Sequence, residues 1–325
     1  MPPRLRPLAA WNLTRAGIEP PEIFRAETRE AWVASQRLLD LALPLVSDLR
    51  TAGVEVLLIK GAGLASSVYP QPALRPMGDL DLLIGPPGMD TARRVLASAG
   101  FRPVGETANP NLHSFGYERA DGLQVDLHAY ALLENVTPGA DDGFFRRARL
   151  LPSSRVDART LSAEDHFLLI CAHGLRWSST VPIYWVADAV MLLRSAGATF
   201  DWRAVAAEAE SRKLSHVLWR AAALLRTQFA ATVPDSALDR LFRGGRGLRL
   251  RLEHAARLRQ PSLTRGIFLH WCALARRDDG LSLLRRGARF PAFLRDAWGL
   301  ATIGEVPRAA LQKSAARLRA GRHAG

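Results

Sequence analysis

Residues 79–84 read Asp-Leu-Asp-Leu-Leu-Ile, and no other stretch of the 325-residue chain restricts its fold as strongly. Extended, the run places Asp79, Asp81 and Leu83 on one face and Leu80, Leu82 and Ile84 on the other, because side chains alternate along a strand. The second face is wholly aliphatic and demands a core. The first carries two carboxylates into apolar surroundings, which is costly unless a cation meets them. The run therefore fits a strand with a core behind it and a cation, such as a hard dication, in front.

GLQVDLHAY (122–130) repeats the arrangement, with Gln124, Asp126 and His128 on one face and Val125 and Leu127 behind. If it lies beside the first strand, Asp126 becomes a third carboxylate at one site. Carboxylates so grouped suit a hard dication such as Mg²⁺. Three of them suffice for two ions in an in-line phosphoryl or nucleotidyl displacement. Asp126 with one ion then activates the attacking hydroxyl, and Asp79 with Asp81 holds the ion that carries the nucleotide phosphates. Asp79, Asp81 and Asp126 are accordingly the expected catalytic and metal-binding residues.

A triphosphate also needs backbone amides and cations. LIKGAGLA (58–65) offers a strand ending in Lys60, glycines at 61 and 63, then a helix start. Glycine lets the backbone approach an anion, and a helix N-terminus adds partial positive charge. Lys60, Gly61 and Gly63 are the expected phosphate turn. Arg75, four residues before Asp79, serves either as a second phosphate clamp or as an ion-pair partner of Asp79 or Asp81. His128 shares the carboxylate face, where it orients Asp126, contacts the acceptor or fills a structural role. Asp188, in the apolar run YWVADAVMLL (184–193), requires a partner, His173 or an arginine. Trp177 and Trp185 are expected to pack.

The surrounding elements follow from periodicity. Residues 27–52 predict a helix that Pro44 bends and Gly53 ends. VEVLLI (54–59) predicts a buried strand, and Gly61–Tyr69 a loop opening a short helix. Strands around 113–119 and 123–128 meet at the hairpin signal Asp121-Gly122. From Ser162, whose spacing to Asp165 gives a capping box, the pattern is helical throughout. RGGRG (243–247) is the expected linker. The chain divides into an N-terminal extension (1–26), an α/β core (27–155), a helical domain (156–240) and a basic helical C-terminal region (241–325), an α+β architecture.

The stretch IKGAGLASSVYPQPALRPMGDLDLLI (59–84), followed by VDLH (125–128), resembles the DNA polymerase β-type nucleotidyltransferase superfamily. Within it the chain is most similar to the bacterial family labelled simply nucleotidyltransferase family protein: Lys-Gly, then Tyr, Arg, Asp-x-Asp and Asp-x-His. The similarity continues through AHGLRW (172–177) and YWVADAVMLL as far as Asp201-Trp202. Abortive-infection nucleotidyltransferase toxins share the order Lys-Gly, Arg, Asp-x-Asp. The resemblance implies a polymerase β-like mixed-sheet core, Mg²⁺ as cofactor, and transfer of a nucleoside monophosphate, AMP expected, from an NTP to an acceptor. One departure stands out: many superfamily members carry Gly-Ser on the phosphate turn, whereas here Lys60-Gly61-Ala62-Gly63 has no hydroxyl at the serine position.

Net charge is +13, and its distribution matters more than its size. Residues 241–325 hold 18 Arg/Lys against 5 Asp/Glu, so the rest of the chain is neutral. A basic region beside a neutral body implies an anionic partner, RNA or a membrane surface, or else solvated helix faces. No apolar run approaches the ~18 residues of a membrane span. The N-terminus lacks the apolar stretch of a signal peptide, and two lone cysteines, Cys171 and Cys272, fit buried thiols in a cytoplasmic protein. Two other function classes stay open: a catalytically silent binding protein with this fold, and a toxin or antitoxin-type nucleotidyltransferase.

Overall fold

A computed structural model describes residues 1–105, 112–151, 157–175, 183–259 and 262–313. In chain order the elements are α1 (Arg6–Arg15), α2 (Glu22–Thr51), β1 (Leu57–Leu58), α3 (Lys60–Ser67), β2 (Leu80–Leu83), α4 (Met89–Ser98), β3 (Arg102–Val104), β4 (Ser114–Glu118) and β5 (Gln124–His128). Then follow α5 (Asp142–Arg147), β6 (Arg149–Leu150), β7 (Arg159–Thr160), α6 (Ala163–Gly174), α7 (Tyr184–Ala196), α8 (Trp202–Ser211), α9 (Ser215–Phe229) and α10 (Asp235–Gly244). Helices α11 (Leu248–Leu258), α12 (Leu263–Arg277) and α13 (Leu283–Ala297) complete the ordered set.

The described strands form one mixed sheet of seven in the order β3-β4-β5-β2-β1-β7-β6. β2 and β5, the strands that carry the carboxylates, run parallel at its centre. Their alternating aliphatic residues account for that position. Leu80, Leu82, Ile84, Val125 and Leu127 are buried on one face in a cluster with Leu45, Leu49, Met89 and Leu96 of α2 and α4. Leu83 faces the opposite way, into a second cluster built with Phe167, Leu168 and Trp185 of α6 and α7 and with α8 to α10. Asp81 shares the parity of Leu83, so the carboxylate face looks toward the helical layer. An α+β core followed by helices is the architecture the sequence predicts.

Local signals explain most boundaries. Ser162 accepts from the Asp165 amide and Asp201 from the amides of Arg203 and Ala204, capping α6 and α8. Gly53, at φ +78°, turns the chain out of α2. Pro44 sits inside α2 without ending it.

Three expectations are corrected. The predicted loop at Gly61 is already helix, because α3 begins at Lys60. The predicted linker at 243–247 is a packed turn: a Cβ on Gly245 would stand 2.7 Å from the His216 backbone, so α10 and α9 meet there. The N-terminal segment carries a helix that periodicity did not reveal, and α1 buries Pro7 and Ala10 against α2 and the Pro72–Leu74 turn.

The basic C-terminal helices are docked. Glu253 of α11, 2% exposed, accepts from Arg257 at 2.8 Å and Arg276 at 2.6 Å. Arg257 also lies 3.6 Å from Glu134, which follows β5. Arg265 donates to the carbonyls of Ala256 and Arg257, closing the end of α11. Cys171 and Cys272 are free and buried. No described helix is long and apolar enough to cross a membrane.

Candidate metal centre

Parallel pairing sets Asp81 of β2 directly opposite Asp126 of β5, with Leu83 opposite His128. One donor atom each from Asp81, Asp126 and His128 lies within 4.8 Å of the others. Asp81 and His128 are buried, Asp126 half-buried. Asp79 falls outside this tight group. It precedes the first paired residue of β2, so no ladder fixes it, and it is half-buried at the strand's mouth. Its carboxyl is nevertheless pushed up, first by burial and then by the charges of Asp81 and Asp126, which places it in their field.

The cation that offsets this charge is Lys60. Its Nζ lies 2.7 Å from Asp81 Oδ1 and 3.3 Å from His128 Nε2. Burial alone would raise the Asp81 carboxyl; the Lys60 ammonium, joined by His128 in the tautomer whose Nε2–H donates to Asp81, holds it below the usual carboxylate range. His128 Nε2 is also 3.0 Å from Asp81 Oδ1, and Nδ1 is 3.4 Å from the Tyr130 carbonyl. With the proton on Nδ1 donated to that carbonyl, Nε2 and Asp81 Oδ1 turn two lone pairs on the same point. A cation there satisfies both, and Lys60 supplies one. Lys60 holds this place at φ +48°, a left-handed conformation uncommon for a side chain with a Cβ and often found at functional sites.

The glycines behind Lys60 serve close packing. A Cβ on Gly63 would fall 2.6 Å from both the Leu58 carbonyl and Thr160 Oγ1, so α3 lies against the sheet as only glycine permits. A Cβ on Gly61 would meet Arg75 Nη1 and the Met77 side chain, each at 3.2 Å. The α3 N-terminus, Lys60 and Arg75 thus converge.

Arg75 pairs with neither Asp79 nor Asp81. Its Nε and Nη2 donate to the two carboxylate oxygens of Asp188 at 3.1 and 2.9 Å, and the Tyr69 hydroxyl donates to Asp188 at 2.7 Å. The carboxylate in an apolar helix finds an arginine, one of the partners the sequence offered. Among the described residues the fork leaves Nη1 with only a long 3.5 Å bond to the Pro76 carbonyl, on the side facing Gly61. Tyr69, which sequence reasoning gave no role, is fixed by burial beside Asp188. His166 is buried next to Gly63 with Nε2 unpaired, and burial followed by the Arg75 charge brings it down to about 3, so it stays neutral. Trp185 packs against Gly174. Trp177 lies outside the described residues.

The donor set fits a divalent ion: carboxylate oxygens suit Mg²⁺, and the added imidazole suits Mn²⁺. Comparison with known proteins gives one match. A family described as uncharacterised nucleotidyltransferase covers residues 3–230, from the N-terminal segment through α9. No curated protein and no solved structure matches the chain.

Proposed function

The chain belongs to the uncharacterised nucleotidyltransferase family, and from that premise we propose that it moves a nucleoside monophosphate, AMP foremost, from an NTP to an acceptor hydroxyl or phosphate with Mg²⁺. The observation that carries the proposal is the register that sets Asp81 beside Asp126, with His128 and Lys60 turned on the same point. In the reaction the acceptor oxygen bonds to the α-phosphorus as the α–β phosphoanhydride breaks, and pyrophosphate leaves. Divalent ions held by Asp79, Asp81, Asp126 and His128 would neutralise the triphosphate and acidify the attacking hydroxyl. Asp126 orients that hydroxyl and takes its proton. Lys60, Arg75 Nη1 and the α3 amides counter the phosphate charge, with Gly61 leaving the helix start open beside Arg75 and Gly63 seating α3 on the sheet.

A second reading, a silent binding protein, draws on two features: the missing Gly-Ser, and an ammonium already seated between Asp81 and His128. Incubating the protein and a cell extract with Mg²⁺ and either α- or γ-labelled ATP separates the readings. Transfer of the α-label alone is expected; γ-label on the acceptor, or no transfer with any NTP, would count against nucleotidyl transfer. The labelled product also identifies the acceptor. Arg243, Arg246, Arg251, Arg259, Arg277, Arg285, Arg289 and Arg308 are all exposed on the C-terminal region. They favour a polyanion, so labelled RNA or lipid is the expected product class.

A further inference from the structure

The N-terminal segment brings a cation to the mouth of this site. Arg4 precedes α1, which is anchored on α2 and on the Pro72–Leu74 turn just before Arg75. From there the Arg4 guanidinium crosses the catalytic motif. Its Nη2 lies 3.4 Å from the point where a Cβ would stand on Gly78, the residue before Asp79. On its other side the guanidinium is 6.0 Å from the centre of the Tyr184 ring, at the start of α7. Arg4 is exposed and forms no ion pair among the described residues.

We infer that Arg4 binds the polyphosphate of the nucleotide, closing the site on the Asp79 side with a residue from outside the sheet. The inference rests on the proposed metal site and deepens it. A dication at Asp79 and a guanidinium beside it carry like charge, and the arrangement is favourable only with an anion between them. A triphosphate oxygen is the anion the reaction brings there, and a guanidinium fork matches its geometry. The guanidinium lies in contact distance of Gly78, directly beside Asp79. The Tyr184 ring holds it from the helical side.

Calorimetric titration with a non-hydrolysable ATP analogue in Mn²⁺ tests the inference on wild type, Arg4→Ala and Arg4→Lys. Arg4 is exposed, so neither variant is expected to disturb folding. Arg4→Ala should weaken the analogue about tenfold, as losing a charge-assisted hydrogen bond does, and flatten its salt dependence. Arg4→Lys should recover part of the loss. Binding of Mn²⁺ alone and of adenosine should be unchanged, which a merely structural role would not predict. Equal affinity of wild type and Arg4→Ala for the analogue would overturn the Arg4 assignment alone. Absence of analogue binding to wild type would overturn the nucleotide reading, and this inference with it.

Discussion

Asp81→Asn should reduce nucleotidyl transfer by about a thousandfold or more, because it would remove a ligand of the proposed metal site and the counter-charge of Lys60 together. Asp81 accepts from Lys60 at 2.7 Å, lies 3.0 Å from His128 Nε2 and sits opposite Asp126 in the ladder. Three grouped carboxylates without a cation would repel one another, and neutralising one would leave the protein no less stable. The ion pair reverses that expectation. Asp81→Asn strips Lys60 of its partner and should lower unfolding free energy, though by less than the about 3–5 kcal/mol of a fully buried pair, because Lys60 keeps contact with water. Asp79→Asn, at the half-buried mouth, should cost transfer without this loss of stability. Transfer assays and urea unfolding on both variants check the contrast. A fully active Asp81→Asn protein would remove Asp81 from the mechanism.

Glu253→Ala is the second large effect, and it is on stability. Glu253 is the buried carboxylate on which the half-buried Arg257 and Arg276 close, and among the described residues Glu134, 3.6 Å from Arg257, is what remains to offset them. Leaving guanidinium groups buried without their partner should cost about 3–5 kcal/mol, read by chemical denaturation. Nucleotide binding in the folded fraction should persist, since the family match ends at residue 230, before α11. A cost below about 1 kcal/mol, the value of a surface pair, would show that the C-terminal helices are loosely attached after all.

The legible part of this protein is the part that alternates. Strand parity in 79–84 and 122–130 was enough to place Asp81 and Asp126 on one face, because a one-residue slip would have exposed five aliphatic side chains. The cap at Ser162 was equally readable. Other short strands were not: β6 and β7 have two residues each, too few for periodicity to register, whereas β1 lies inside the strand predicted at 54–59. Long-range pairings were invisible for a different reason. Lys60 and Asp81, Arg75 and Asp188, Arg4 and Gly78 are brought together by packing of whole elements, and no local pattern encodes such a meeting. Composition misled in one place. Glycine and arginine at 243–247 suggested a linker, whereas Gly245 is needed for close contact with His216.

Mn²⁺ binding followed by pulsed electron paramagnetic resonance, with and without a non-hydrolysable ATP analogue, tests the centre most directly. The proposed site requires Mn²⁺ to bind with an imidazole nitrogen coupled to it, more tightly when the nucleotide is present. The nitrogen coupling should vanish in His128→Gln, and binding should be lost in Asp126→Asn. Mn²⁺ that stays free in solution, or that binds the Asp126→Asn protein as well as wild type, would contradict a metal centre at these residues and leave Lys60 as the cation they were built to hold.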